Sequence, residues 1–373
     1  MQLPCFMFAE MMPLLHLNSI SLTRFKNYTE KQFTFSKRIV GLCGLNGAGK
    51  TNLLDAIYYL CLTKSYFGKT DLTSTSFGYQ GFRIEGHFTR QQESFQAVCI
   101  LRENGKKEVQ LNQENYSRFS MHIGRFPVVF VAPDDILLVT GGSEERRKFI
   151  DTIISQVDSE YLKQLIQYNR ILQQRNSLLK QFSESRQMDK ALLTVLDRQL
   201  AQPGSFIYSQ RKSFLQTFIA EVKLMYAMIA GENEGLELVY QSPLELNNFT
   251  ELMESCRERD YLAQRTTSGI HKDELEIRLG EQLLRQVASQ GQRKSLLFAL
   301  KLAEFSVLRR FKGFPPILLL DDVFEKLDEI RMHNLLQWAC VDNEGQVFLT
   351  DTHCNRLQEA LEKLSVPFQV EQL

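Results

Sequence analysis

The sequence carries no net charge: 44 Lys and Arg residues balance 44 Asp and Glu residues over 373 positions. No apolar run approaches the roughly 18 residues of a membrane span, so no membrane partner is expected. The opening stretch MQLPCFMFAEMMPLLHL lacks the positive n-region of a signal peptide. Residues 1–11 read as a leader ahead of a start at Met11 or Met12, because patterned sequence begins near Leu14. The seven cysteines (Cys5, Cys43, Cys61, Cys99, Cys256, Cys340 and Cys354) are scattered, odd in number and form no C-x-x-C pair. That argues against a zinc site or a disulfide framework and for a reduced, cytoplasmic protein. There is no heptad run long enough for an extended coiled coil, no internal repeat and no D-x-D. What is present is a core: 43% of residues are hydrophobic and 26 are Phe, which excludes a disordered chain. The length suggests two domains of ordinary size.

The zero net charge hides an asymmetry. Residues 12–133 hold 15 basic and 8 acidic residues, a net of +7, whereas residues 134–260 hold 15 and 19, a net of −4. A basic N-terminal third in a neutral protein hints at a polyanionic partner. Strand texture covers 15–20, 31–35 and 38–43, then 82–89 and 95–101, with Asn104-Gly105 as a hairpin turn. Helical spacing marks 51–62. A long helix runs through Val157, Tyr161, Leu165, Tyr168 and Leu172, and a second helical stretch runs over 189–229, broken at Pro203-Gly204. The order is an α/β part, a mainly helical middle and a second α/β part.

Gly44-Leu45-Asn46-Gly47-Ala48-Gly49-Lys50-Thr51 fits G-x-x-x-x-G-K-[ST] between an apolar strand and a helix. Glycines let backbone N–H groups converge on phosphate oxygens, and the following helix N-terminus adds its positive end. Lys50 would bridge the β- and γ-phosphates of ATP, and the Thr51 hydroxyl would ligate Mg²⁺. The plain alternative is a Gly-rich turn with an exposed lysine. Pro316 to Leu320 is an apolar strand delivering Asp321 and Asp322. Asp321 would hold the metal through water and Asp322 would polarise the attacking water, or both acids simply end a strand. Ser289-Gln290-Gly291-Gln292 precedes an apolar helix, 296–308. By itself it is an N-cap. Ahead of the Asp321 strand it is similar to the Ser-x-Gly-Gln signature of ABC-type ATPases, in which Ser289, Gly291 and Gln292 would meet the γ-phosphate held by a second copy. Glu325-Lys326-Leu327-Asp328 resembles the D-loop, with Glu325 a departure from the usual Ser. The strand 346–350 followed by Asp351-Thr352-His353 resembles the switch, but His353 stands three residues past Thr350 rather than one, so switch and surface-loop readings are balanced.

The 271 residues between Lys50 and Asp321 are about twice what a transporter nucleotide-binding domain needs, and far too few for the long coiled coils of SMC-type proteins. At this point the chain resembles the bacterial RecF family of DNA repair ATPases. Leu22-Thr23-Arg24-Phe25-Lys26-Asn27-Tyr28 is similar to the family's L-x-x-F-R-N-Y. Ser65 to Asp71 is similar to its basic turn after the first helix. Pro133-Asp134-Asp135, Gly141-Gly142-Ser143, Arg146-Arg147-Lys148-Phe149 and Asp151 resemble P-x-D-…-R-R-x-F-x-D, and Gly269 to Leu275 resembles G-P-H-R-D-D-L.

The resemblance implies an α/β fold: an ABC-type P-loop ATPase head with a mixed sheet (12–133 and 261–373), with a mainly α-helical lobe (134–260) inserted between the phosphate loop and the signature. It implies ATP and Mg²⁺ as cofactors and a homodimer closed over two ATPs. It implies duplex and gapped DNA, with RecR and RecO type proteins as partners. It also implies slow, DNA-stimulated hydrolysis in recombinational repair, replication restart and the SOS response. Lys64, Lys69, Lys106 and Lys107 are the candidate DNA contacts, each competing with an ordinary solvated lysine. Arg146, Arg147 and Lys148 follow two glutamates and read as a charged helix face. His271 and Asp273 read as near-nucleotide or structural. The competing functions are a transporter energy-coupling subunit, which the long interval disfavours, and an ATPase-nuclease, which would need a further metal-binding carboxylate set.

Overall fold

The computed structural model describes residues 14–185, 189–231, 234–325 and 329–373. The expected leader, and Lys326 to Asp328 of the D-loop-like segment, lie outside the described residues. The N-terminal part runs β1 (Leu15–Phe25), β2 (Tyr28–Thr34), β3 (Ile39–Cys43), α1 (Lys50–Leu62), β4 (Phe82–Arg90), β5 (Glu93–Leu101), β6 (Lys107–Leu111), β7 (Glu114–Asn115) and β8 (Val128–Val131). The middle follows as α2 (Leu137–Thr140), α3 (Ser143–Val157), α4 (Ser159–Ser185), α5 (Lys190–Ala230), β9 (Leu236–Gln241), α6 (Phe249–Ser255) and α7 (Arg257–Ala263). The C-terminal part is β10 (Glu274–Leu279), β11 (Gln282–Leu283), α8 (Leu284–Val287), α9 (Gln290–Lys312), β12 (Ile317–Leu320), α10 (Glu329–Leu336), β13 (Val347–Asp351), α11 (Cys354–Glu362) and β14 (Phe368–Gln372).

Strands of both directions occur, segregated into separate sheets. The central sheet is parallel throughout, in the order β14-β3-β13-β12-β8. Its inner strands are short runs buried at every position, as a sheet covered on both faces requires. Alternate side chains feed two cores. Val40, Leu42, Val128, Phe130, Ile317 and Leu319 pack with α1 and the antiparallel sheet β2-β1-β4-β5-β6-β7. Ile39, Val129, Val131, Leu318, Leu320 and Leu349 share the other core with α3, α5 and α9. A three-stranded sheet, β11-β10-β9, lies against this second core.

The helical stretch expected to break at Pro203-Gly204 is instead one helix, α5, of 41 residues. Proline removes one backbone donor, and tertiary packing carries the helix through. A Cβ on Gly204 would meet the Phe249 ring at 2.2 Å, so glycine at this turn is what lets α6 seat against α5. By length and composition α5 is also the one described helix that would pass for a membrane span. Its Asp197 and Arg211 are nevertheless buried in ion pairs, with Arg175 at 2.7 Å and with Asp273 at 2.7 Å, which seats one face of the helix against its neighbours.

The cysteines depart from the expected unbonded state: Cys43 and Cys354 form a disulfide across 311 residues of sequence. Strand register explains it. β13 pairs with β3 so that Asp351 lies opposite Cys43, and the chain turns into α11 three residues later. Cys61, Cys99, Cys256 and Cys340 are free and buried.

Candidate functional site

The loop 44–51, the paired aspartates and Thr350 converge at the C-terminal ends of β3, β12 and β13. β3 stops at Cys43, the loop 44–49 follows, and α1 starts at Lys50. Gly49 has φ 114°, and a Cβ there would meet Asn27 Nδ2 and the Tyr28 hydroxyl, each at 2.6 Å. Those two side chains back the loop: Asn27 Nδ2 donates to the Ala48 carbonyl (3.2 Å) and the Tyr28 hydroxyl to the Gly49 carbonyl (3.1 Å). Asn27 and Tyr28 are thus the rear wall of the loop 44–49. Lys50 Nζ, nearly buried, donates to the carbonyls of Gly44 (2.6 Å) and Leu45 (3.0 Å). Leu45, Asn46 and Gly47 are exposed at the loop tip, while Ala48 is half-buried.

Thr51 Oγ1 donates to both oxygens of Asp321, at 3.0 and 2.9 Å. The hydroxyl and the carboxylate expected to share a metal are therefore in contact across 270 residues of sequence. Thr350, at the end of β13, closes the arrangement: its hydroxyl donates to Asp321 Oδ1 (2.8 Å) and accepts from the Asp322 N–H (2.8 Å). Burial holds the Asp321 carboxyl above its usual range, with the neighbouring Asp322 charge pushing the same way and the two hydroxyls opposing. Asp322 is half-buried and sits at φ 51°. Among the described residues no cluster of three His, Cys, Asp or Glu side chains forms a self-sufficient metal cage. One carboxylate and one hydroxyl suit Mg²⁺, which takes its remaining ligands from phosphates and water.

Ser289 is the N-cap of α9. Its Oγ accepts from the Gln292 N–H (3.2 Å), and Gln292 Oε1 accepts from the Ser289 N–H (2.8 Å). The capping box leaves Ser289 exposed and Gly291 half-exposed at the start of a 23-residue helix. His353 is the exposed N-cap of α11, its backbone N–H held by Asp351 (3.1 Å). Asp351 itself takes the buried end of β13, locked by Arg356 at 2.5 Å.

The four basic candidates separate. Lys69 is exposed. Lys64 is exposed at the mouth of a cavity of about 410 Å³ lined also by Lys148 and Asp151; partial burial, then the charges of Lys148 and Lys107, lower its pKa. Lys106 is exposed and 3.6 Å from Glu108. Lys107 corrects the expectation. Rather than standing free for DNA it begins β6, and its Nζ donates to the Thr63 carbonyl and pairs with Asp71 at 3.1 Å, over the Tyr59 ring. Its charge is spent inside the protein.

Arg146 also departs from a surface face. It is buried and forks onto Glu274 at 2.8 and 3.0 Å, whereas Lys148 does pair with Glu144 at 2.8 Å. His271 and Asp273 take their partners from the helical part: His271 from the Tyr168 hydroxyl, and Asp273 from Arg211 and Tyr240. Burial pushes the His271 pKa down to about 4, so it is a neutral structural imidazole.

Sequence reasoning missed Thr350 and a buried polar junction between α1 and α9. Asp55 of α1 holds Lys26 (2.6 Å), the Ser65 hydroxyl and the Tyr66 N–H. Tyr66 in turn bonds Asp135 and Lys301, and Lys301 sits 3.9 Å from Glu304. The helix that starts at Ser289 is thereby wired to the helix that starts at Lys50. Burial is the main cause that pushes the Glu304 pKa up to about 8; Lys301 pulls it down and Asp135 pushes it up. The folded chain then keeps a proton that the unfolded chain loses from about pH 4.5 upward, so stability falls as pH rises toward 8. Glu304→Gln should flatten this slope and gain on the order of 1–3 kcal/mol relative to the parent at pH 8–9. Superimposable thermal melts of the two proteins from pH 6 to 9 would show that Glu304 is ionised in the fold.

Comparison with known proteins agrees with this geometry. The family model described as RecF/RecN/SMC N terminal domain matches residues 16–372. The DNA replication and repair protein RecF of Flavobacterium johnsoniae is 39% identical over 95% of this chain and 99% of that protein. Its counterpart in Parabacteroides distasonis is 41% identical over 92% of this chain and 93% of that protein. A solved structure of the recombination mediator protein RecF with ATP, in the RecFOR pathway, superposes with a TM-score of 0.84 at 28% identity, covering 92% of this chain and 94% of that one. With the phosphate loop, the paired aspartates and the capped helix α9 in one head, this chain belongs to the RecF/RecN/SMC N-terminal domain family and, within it, to the RecF proteins of DNA replication and repair.

Proposed function

We propose that this chain is a cytoplasmic, ATP-gated DNA clamp that dimerises over two ATPs on duplex or gapped DNA and resets by slow, DNA-stimulated hydrolysis, with RecO- and RecR-type proteins as partners. The observation that carries the reading is the contact of Thr51 with Asp321 beside Lys50, in a head whose α9 N-terminus faces solvent. In this reading the loop 44–51 binds the triphosphate, and Lys50 leaves the Gly44 and Leu45 carbonyls for the phosphates. Thr51 and Asp321 would hold Mg²⁺, which neutralises phosphate charge when bound. Ser289, Gly291 and Gln292 cap the nucleotide of the second copy, since the exposed end of α9 offers N–H groups and a positive dipole end to a phosphate. The γ-phosphate then favours the closed dimer, and its loss reopens it. The regions 12–133 with 261–373 act as the head and 134–260 as the helical lobe. Lys64, Lys69 and Lys106 remain the candidate phosphate-backbone contacts for DNA, and His353 the candidate γ-phosphate sensor.

Light scattering of the full chain with ATP, with and without gapped duplex, across a salt series tests this. Dimer formation should require ATP, and DNA should favour it with an affinity that falls as salt rises. A chain that stays monomeric with ATP and DNA at low salt would refute the clamp. Ser289→Arg should leave ATP binding by the monomer intact and block the dimer, because the new side chain fills the space a second phosphate loop must enter. A normal dimer would place the signature contact elsewhere.

A further inference from the structure

The disulfide joins two places that matter for the proposed ATPase cycle. Cys43 is the residue before Gly44, and Cys354 is the first residue of α11, next to His353. Their Cα atoms are 5.1 Å apart. The two residues differ in exposure: Cys43 is fully buried, whereas Cys354 is partly exposed. Cys354 also lies at the start of a helix, at the edge of the bonded pair. The remaining described cysteines offer no competing site. Cys61, Cys99, Cys256 and Cys340 are buried, and burial pushes the thiols of Cys99 and Cys340 up to about 12. An intracellular disulfide is more often redox-sensing than structural.

We propose that Cys43 and Cys354 form a reversible thiol–disulfide exchange site whose partners are low-molecular-weight thiols and disulfides of the glutathione class, and that the bond restrains the switch segment 351–354 against the phosphate loop. The inference deepens the proposed ATPase reading and rests on it for its effect on turnover. The difference in exposure sets the order of events. The Cys354 thiolate attacks one sulfur of oxidised glutathione and releases one glutathione thiolate, leaving a mixed disulfide on Cys354. The Cys43 thiolate then attacks the Cys354 sulfur and releases the second glutathione. Two protein thiols lose two protons and two electrons, and the small disulfide gains them; reduction runs the same exchanges backward.

The consequence follows from where the bond sits. β14 and β13 already clamp the end of β3: the Leu373 N–H donates to the Cys43 carbonyl at 2.8 Å, and Asp351 pairs opposite Cys43. The bond adds the start of α11 to that clamp, so in the oxidised chain the His353 backbone is fixed to the loop it must follow as the γ-phosphate arrives and leaves. Oxidation should therefore slow ATP turnover several-fold while leaving the loop able to bind ATP.

The full chain is equilibrated in glutathione buffers of increasing oxidised fraction, and the Cys43–Cys354 peptide pair is quantified by mass spectrometry. Hydrogen exchange of 351–356, ATP binding and turnover are read on the same samples. The expected result is a reversible bond, slower exchange of 351–356 in the oxidised form and lower turnover with ATP binding retained. Cys354→Ser should lose the redox response, so that exchange of 351–356 and turnover no longer differ between reduced and oxidised buffers. Failure of the bond to form, or equal exchange of 351–356 in both forms, overturns the proposal whether or not the protein hydrolyses ATP. Absence of turnover in the fully reduced chain instead counts against the ATPase reading.

Discussion

Lys50→Ala should lower ATP affinity by about 100-fold and abolish ATP-dependent dimerisation, while the chain stays folded. The magnitude comes from removing charge-assisted hydrogen bonds to phosphate, each worth roughly 1.5–3 kcal/mol in a partly dry site. The fold should survive because the side chain's own protein partners are two carbonyls, of Gly44 and Leu45, at the base of a loop whose tip is exposed. Those carbonyls also make the test sharp. If Lys50 served only to tie the loop, its loss would lower the melting temperature and leave nucleotide affinity nearly unchanged. Calorimetric titration with ATP and a thermal melt on the same protein separate the outcomes. A variant that binds ATP normally and dimerises would end the phosphate-loop reading.

The parts of the site that were legible in the sequence are those whose chemistry is contiguous. Gly44 to Thr51 reads as a candidate phosphate loop from eight successive residues, and the fold makes it the turn from β3 into α1; Leu320-Asp321-Asp322 is a strand end read the same way. What escaped depends on contacts between distant residues. Thr350 is an unremarkable threonine until β13 lies beside β12 and brings its hydroxyl to Asp321, 29 residues away. Lys107 looked exposed because it follows Asn104-Gly105, and only the fold shows Asp71 and the Thr63 carbonyl waiting for it. Arg146 finds Glu274 across 128 residues, and Cys43 finds Cys354 across 311. The Pro203-Gly204 pair signals a break locally, but packing of Phe249 on Gly204 overrides it. Sequence periodicity gives the faces of elements and their order; it is silent on which two elements end side by side.

The clamp model also requires the two ends of the nucleotide site to communicate within one chain. The capped end of α9 would touch a neighbour's ATP, whereas α1 holds its own. Lys301 lies on the buried face of α9, and through Tyr66 and Asp55 it reaches the flank of α1. A shift of α9 on dimer closure would have to disturb buried charge-assisted bonds, which makes intermediate positions costly and favours two discrete arrangements.

Asp322→Asn should bind ATP as tightly as the parent and hydrolyse it about 100-fold more slowly or worse, the range lost when a positioned general base is removed. Asparagine is the informative replacement. Asp322 sits at φ 51°, a left-handed conformation that Asn tolerates and Ala does not, so Asp322→Ala would add roughly 1–3 kcal/mol of backbone strain to the chemical effect. The Asn variant also keeps the backbone N–H that donates to Thr350 Oγ1, and with it the position of Asp321. It removes one negative charge beside Asp321, which should weaken Mg²⁺ attraction slightly, so ATP affinity is compared at saturating Mg²⁺. Slow hydrolysis with intact binding should trap the closed dimer, visible as an ATP-bound dimer that outlives the parent's after dilution. Single-turnover rates measured by rapid quench read the chemical step directly. An unchanged rate would move the base away from Asp322 and leave His353, exposed at the start of α11, as the next group to remove.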